Sequence, residues 1–277
     1  MPEIWAGELG EFRASSTAGG GTALTTTATA IPLPAIDTTR AVPKMKGHLF
    51  LVPRNLTTAV VVKIALNPWL TILETNDSMA TKPTDYSVYG QDGNAATDID
   101  LDSFDTLANG DFLLVGSHMP FRGAFVDVDG SHPNANASIL TVSYWGGSWI
   151  SASATDGTAS GGATMAQDGL VYWTLPSTWR TVKLVDIYPE LDSSLYYAKE
   201  PLYWTRWEVS AALDSDTLVD NLYGANRSTS YGELLSGQSL EQKIDYGFMG
   251  LGCVEALTDA GTANLIVNVA TIKEGKF

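Results

Sequence analysis

Residues 141–179 read TVSYWGGSWISASATDGTASGGATMAQDGLVYWTLPSTW. Four tryptophans and two tyrosines sit among Gly, Ser and Thr, and the only charged residues are Asp156 and Asp168. The alternation begins just upstream, in NASILTVSYW. Leu140, Val142 and Tyr144 point one way and Thr141 and Ser143 the other, the period of a half-buried strand. Gly146-Gly147 supplies the two positive-φ positions of a tight hairpin. A two-residue loop there would set Trp145 opposite Ser148 and Tyr144 opposite Trp149, an aromatic pair on the core side. Asp156-Gly157 and Gly161-Gly162 give further turns. The rings therefore either fill a small β core or form a platform for sugars or nucleobases.

The same pattern extends in both directions. GHLFLVPRNLTTAVVVKIALNPWLTIL predicts two or three strands, with Asn67-Pro68 as punctuation. DFLLVGSHMPFRGAFVDVDG predicts two more, broken at Gly116 and Pro120 and closed by the turn at Asp129-Gly130. LVYWTLP and TVKLVDIY continue the series. LYWTRWEVSAAL alternates, with Tyr203, Thr205, Trp207 and Val209 on one face and Trp204, Arg206, Glu208 and Ser210 on the other. ANLIVNVATI is a last strand, and the glycines of SLEQKIDYGFMGLGCVEAL argue against one continuous helix. Short strands, frequent Gly turns and no long helix predict an all-β fold, a β-sandwich of jelly-roll-like character. Residues 1–45 read as an extended N-terminal arm and 46–277 as the sandwich domain, with a division considered near 190–200. Within the arm, SSTAGGGTALTTTATAIPLPAIDTTR (residues 15–40) is extended by its threonines and by Pro32 and Pro34. It fits either a flexible linker or a segment that orders on a neighbouring subunit, with IPLPAI as the docking element.

Composition narrows the function. Charged residues are 17% against 44% hydrophobic, so Ser, Thr, Asn and Gly must carry much of the surface. A net charge of −15 disfavours direct contact with a phosphate backbone, and no nucleic-acid partner is expected. The single Cys253 cannot form an intrachain disulfide and reads as a small buried residue. The opening MPEIWAGELGEF lacks a basic region followed by an apolar run, and no run is long enough for a membrane helix. The expectation is a soluble protein made in a reducing cytoplasm, with no membrane partner.

Signatures of chemistry are sparse. His48, His118 and His132 fall in no zinc pattern, and neither a nucleophile elbow nor a phosphate loop ending in Lys-Ser or Lys-Thr is present. No catalytic residue, metal or cofactor is expected, and the chain reads as a non-enzyme. In DIDLDSFD, Asp98, Asp100 and Asp102 would share one face of a strand. That row could hold Ca²⁺ or a glycosidase pair, but a solvated edge strand whose charges oppose edge-to-edge pairing explains it as well. DVDGS (residues 127–131) matches part of a calcium loop and, more simply, a hairpin turn. Tyr144, Trp149 and Trp207 lie on inferred apolar faces and read as core. Trp145 and Trp204 fall on the opposite faces, as interface or ligand aromatics.

The chain LVGSHMPFRGAFVDVD…NANASILTVSYWGGSWISASATDGT…MAQDGLVYWTLPSTW…LYWTRWEVSAAL resembles a class of virion structural proteins of tailed bacteriophages. The shared features are Pro-Phe-x-Gly at 120–123, Tyr144-Trp145, Asp156-Gly157-Thr158, Gly169 with Trp173, Pro176 with Trp179, and Tyr203-Trp204-x-Arg206. The resemblance covers residues 111–213. It implies no catalytic residues. It implies a virion protein assembled in the host cytoplasm, in first place a capsid decoration (cement) protein. It further implies a homo-oligomer, a trimer, that contacts the major capsid protein or other virion proteins. The alternatives are a tail, neck or head-fibre component contacting the host surface, or a carbohydrate-binding module.

Overall fold

Short β-branched and aromatic runs, cut every few residues by Gly, Pro, Asn or Asp, become short antiparallel strands. The computed structural model describes residues 9–14, 21–31, 46–57, 60–225, 231–245 and 250–272. In chain order the strands begin with β1 (Leu9–Ala14), β2 (Thr22–Leu24), β3 (Thr29–Ile31), β4 (Lys46–Arg54) and β5 (Val62–Leu66). Next come β6 (Thr71–Glu74), β7 (Thr84–Asp85), β8 (Ile99–Asp100), β9 (Leu113–Ser117), β10 (Gly123–Val128), β11 (Leu140–Trp145) and β12 (Trp149–Ser151). β13 (Thr155–Asp156), β14 (Gly169–Tyr172) and β15 (Thr181–Val182) precede two single-turn helices, α1 (Leu184–Ile187) and α2 (Tyr196–Lys199). The rest are β16 (Leu202–Val209), β17 (Leu218–Gly224), β18 (Gly232–Leu234), β19 (Leu240–Asp245), β20 (Val254–Thr258) and β21 (Ala263–Ile272). The fold is all-β with sandwich architecture, as the patterning predicts.

The chain divides into two compact units. The main part of unit 2 runs from Pro68 to Arg227, so it lies in sequence between two parts of unit 1. The division therefore falls near 67 and 227, and residues 190–200 lie inside unit 2.

Unit 1 holds two antiparallel sheets. One has the order β1-β21-β4-β19, with β2 also on β21, and β4 pairs along β21 from Lys46↔Ile272 to Arg54↔Asn264. The other is β18-β5-β20-β3. Each buries one face: Leu49, Leu51, Leu265 and Val267 in the first, Val62, Ile64, Val254 and Ala256 in the second. The described residues of the expected arm are extended, and they are paired within the chain. β1 and β2 lie on β21, and β3 lies on β20. Most of IPLPAI, residues 32–36, lies outside the described residues. Cys253 is buried, as its small apolar character predicts.

Unit 2 is a sandwich with a cap. The larger sheet has the order β12-β11-β16-β9-β6-β7, with β15 on β16, and the smaller has the order β13-β14-β10-β17-β8. Between them pack Ile72, Val115, Val142 and Trp207 from the larger sheet with Val126 and Val171 from the smaller. The outer face of the larger sheet is partly covered by residues 184–202. There Leu73, Leu114 and Trp204 pack against Leu184, Leu191 and Tyr197. With both faces covered, β6 and β9 are buried at every position, whereas β11 keeps its alternation.

Two local expectations are corrected. TVKLVDIY is not one strand: β15 ends at Val182, and Leu184–Ile187 turns into α1. The β11–β12 hairpin pairs Trp145 with Trp149 and Tyr144 with Ile150, so its loop has three residues rather than two. Gly147 has a positive φ of 109°, Gly146 does not, and the Gly146 amide donates to the Ser148 carbonyl at 3.0 Å. A single left-handed position suits a longer loop than the two-residue type that needs two. The slip by one residue moves Trp149 to the other face of the sheet.

Candidate functional site

Trp204 is 0% exposed, which corrects its assignment to a surface. It does lie on the face opposite Trp207, as the alternation predicts, but the 184–202 segment covers that face. The Trp204 Nε1 donates to the Val182 carbonyl at 3.1 Å, and its own carbonyl accepts from Trp179 Nε1 at 3.1 Å. Opposite it, Gly116 leaves room for the ring, since a Cβ there would come within 2.5 Å of the indole.

Trp145 is half-buried and meets Trp149 edge-on, with centroids 5.3 Å apart and planes at 74°. Trp149 also packs against the cap. The register sets Ser143 opposite Ser151 on one side and Arg206 on the other, and Thr141 opposite Glu208. Side chains two residues apart share a face. The pair Trp149–Trp145 is therefore flanked by the row Ser151–Ser143–Arg206, and then by Thr141 and Glu208. Arg206 Nη2 donates to Glu208 Oε1 at 2.6 Å. The Arg206 guanidinium also sits 4.0 Å over the Phe112 ring, which stacks on Tyr188 at 6.1 Å. Burial pushes the Tyr188 phenol up, and Arg206 and Trp149 beside it oppose that shift. The patch thus joins two half-buried rings to a fixed ion pair and three small hydroxyls. Of its members, Trp145 is named by the sequence alone and Arg206 is visible in the alternation of LYWTRWEV. Tyr188 and Trp149 are not, because TVKLVDIY has the pattern of a strand where the chain turns into α1, and the face of Trp149 depends on the hairpin loop.

The aspartates part company. β8 is the edge strand of the smaller sheet, in keeping with the edge reading, but it is only two residues long. Asp102 begins a 3₁₀ turn, and its amide donates to Asp100 Oδ1 at 3.0 Å, so the three do not form one row. Asp98 lies against Asp220, whose carboxyl is pushed up to about 6 by burial and then by Asp129, Asp127 and Asp98. Asp100 and Asp102 instead face Glu74, which is 5% exposed. Burial raises Glu74 from 4.5 to about 7, against the Ser103 hydroxyl that donates to it at 2.7 Å; Asp102 and Asp100 add to the rise. In DVDGS, Asp129 Oδ1 accepts from the Ser131 amide, and its Oδ2 meets His132 Nδ1 at 2.8 Å, a turn on the surface. Asp127 accepts from the Asn221 amide instead. Among the described residues, no group of three or more His, Cys, Asp or Glu side chains is placed to hold a metal ion, and no helix is long and apolar enough to cross a membrane.

No family model matches the chain, and no curated protein matches it. A solved structure of the infectious bursal disease virus Gx strain aligns over 97% of this chain and 81% of that chain, at 9% identity and a TM-score of 0.17. A likeness that slight carries no argument.

Proposed function

We propose that this chain is a structural protein of a tailed-bacteriophage virion, foremost a capsid decoration (cement) protein, acting as a homotrimer on the major capsid protein. The supporting observation is what the residues behind the phage resemblance do. They hold the sandwich together. Phe121 packs on Trp173 at 5.4 Å and on Trp179 at 5.2 Å, and Trp179 meets Tyr203 at 5.7 Å. Asp156 Oδ1 accepts from the Thr158 amide and hydroxyl, and that hydroxyl accepts from the Met165 amide. Gly157 and Gly169 meet backbone to backbone, and a Cβ on Gly169 would lie 2.2 Å from the Gly157 carbonyl oxygen. A motif made of packing and turn residues fits a shell component better than an enzyme, and the charge of −15 suits a surface turned away from packaged DNA. The second reading is a tail, neck or head-fibre component contacting the host surface.

The test is purification of the phage particles with quantitative mass spectrometry and cryo-electron microscopy. Copies in proportion to the threefold positions of the shell, with density for a trimer, are expected. A copy number of a few per particle would move the protein to the tail or neck. Absence from purified particles would overturn the virion reading altogether.

A further inference from the structure

We propose that Asp98, Asp220 and the side-chain oxygen of Asn221 form a site for a calcium ion on the outer face of the smaller sheet, where β17 pairs with the edge strand β8. The inference goes beyond the structural role above and does not depend on it.

A break in strand register builds the site. β10 pairs Asp127 with Asn221 but Val128 with Val219, so Asp220 is an extra residue in β17. Val219 and Leu222 both face the core. Between them the bulge turns Asp220 and Asn221 to the same outer face, where regular alternation would turn one of them inward. On β8, Ile99 faces the core opposite Val219, so Asp98 faces outward, next to Asp220. Asn221 is 4% exposed, yet its Oδ1 accepts no hydrogen bond among the described residues. Its Nδ2 donates to Asp127 Oδ2 at 3.1 Å. A carboxylate only accepts, so that bond fixes which way round the amide sits. With Nδ2 toward β10, Oδ1 is turned to the β8 side, where the two carboxyls stand. Asp98 Oδ1 is likewise buried and without a hydrogen-bond partner among the described residues.

Such an arrangement asks for a cation. Two carboxylates side by side repel, and a buried amide oxygen needs a partner. The described ion pair nearby, His132 with Asp129, answers neither. Burial first, then Asp129, Asp127 and Asp98, push the Asp220 carboxyl up to about 6, so its charge is present at pH 7.5. An ion bound between the carboxyls relieves the repulsion and gives Asn221 Oδ1 its partner. Ligands that are all oxygen select a hard cation. Ca²⁺ tolerates the irregular geometry of side chains fixed on strands, whereas Mg²⁺ demands a near-ideal octahedron. No third acid is placed to join the pair, so Asn221 supplies the third protein oxygen and water the rest. With only two charged ligands, the expected dissociation constant is on the order of 10⁻⁴–10⁻³ M.

Isothermal titration calorimetry of the full chain tests this, after metal removal with EDTA and dialysis, at pH 7.5 and constant ionic strength, with CaCl₂ and MgCl₂ as titrants. One saturable Ca²⁺ site is expected, tenfold or more tighter than for Mg²⁺, with a rise in Tm at saturating CaCl₂. Asp220→Asn keeps the side-chain shape and should weaken Ca²⁺ binding tenfold or more and remove the rise in Tm. Asp98→Asn should do the same, and it carries the test if Asp220→Asn fails to fold. Asp102→Asn, an acid outside the site, should change neither. No saturable Ca²⁺ binding, or binding that persists unchanged in either folded variant of the pair, would overturn the proposal. An equal effect of MgCl₂, or an equal loss in Asp102→Asn, would mean diffuse screening of an acidic surface and overturns it too. So does a pair held by a shared proton alone. That pair would show a Tm that falls as pH rises through about 6, a fall absent in Asp220→Asn, and no response to CaCl₂.

Discussion

β16 carries one tryptophan to each face of the larger sheet, and the two faces are closed in different ways. Trp207, 1% exposed, packs between two sheets, among side chains set by regular strand register. Trp204, 0% exposed, is closed off by two single-turn helices and the loops between them. The first closure is a property of alternating strands. The second comes from a segment with little regular structure of its own, whose packing depends on what it covers. Equal burial can thus arise from unequal architecture, and the two should differ in how they fail.

Emptying either site is the largest perturbation. Trp207→Ala and Trp204→Ala should each cost about 3–5 kcal/mol in urea denaturation. Protease sensitivity should separate them. Trp204→Ala should expose 184–202 to cleavage under native conditions, whereas Trp207→Ala should yield no early cut there. Identical cleavage patterns would mean the cap is as integral as the facing sheet. A smaller effect comes from filling space: Gly116→Ala puts a Cβ 2.5 Å from the Trp204 ring and should cost about 1–3 kcal/mol, with the same selective opening of the cap. A neutral result would show that the capped face yields more readily than a packed core.

The smallest effect lies on the sheet-covered face and depends on pH. Glu74 alternates onto the same face as Ile72, and its folded-state pKa is raised from 4.5 to about 7. A carboxyl raised on folding stabilises the protonated native state. That stability is complete below pH 4.5 and is lost as the pH climbs through about 7. Glu74→Gln keeps an acceptor for Ser103 without the buried charge. It should stabilise the protein by roughly 1–2 kcal/mol at pH 8 and have little effect at pH 4, read as the shift in urea midpoint. A stability loss at pH 8 would show that the ionised form is held by bonds stronger than its desolvation.

The patterns that survived contact with the structure were those set by period. Alternation in LYWTRWEV assigned Trp207 and Trp204 to opposite faces correctly, and Leu140, Val142 and Tyr144 followed the inward and outward order of a strand. What alternation does not carry is whether the second face meets water. Trp204 looked exposed because the covering segment reads as one more strand, and its helical turns are too short to leave a 3.6-residue period. Gly-Gly permits a two-residue loop without requiring it, and the one-residue difference in the hairpin carries Trp149 from the expected core pair to the patch. The aspartates failed for a similar reason: a strand of two residues cannot keep Asp98, Asp100 and Asp102 in one row. The ring-lined patch was half legible, in Trp145 and Arg206, and the rest depended on register.

The interruption of unit 1 by unit 2 bears on how the chain is made. β4 lies early in the chain, and the long strand it pairs with, β21, is the last to leave the ribosome among those described. Unit 2 has all its residues once synthesis reaches Arg227. It can fold during translation while β1, β2 and β4 wait for a partner strand more than 200 residues downstream. Closing a loop that long is slow, and the cost shrinks if the intervening unit has already condensed. During that wait the early strands carry unpaired edges that other nascent chains could pair with, so ribosome spacing and prompt chaperone engagement should influence yield more than the final stability does.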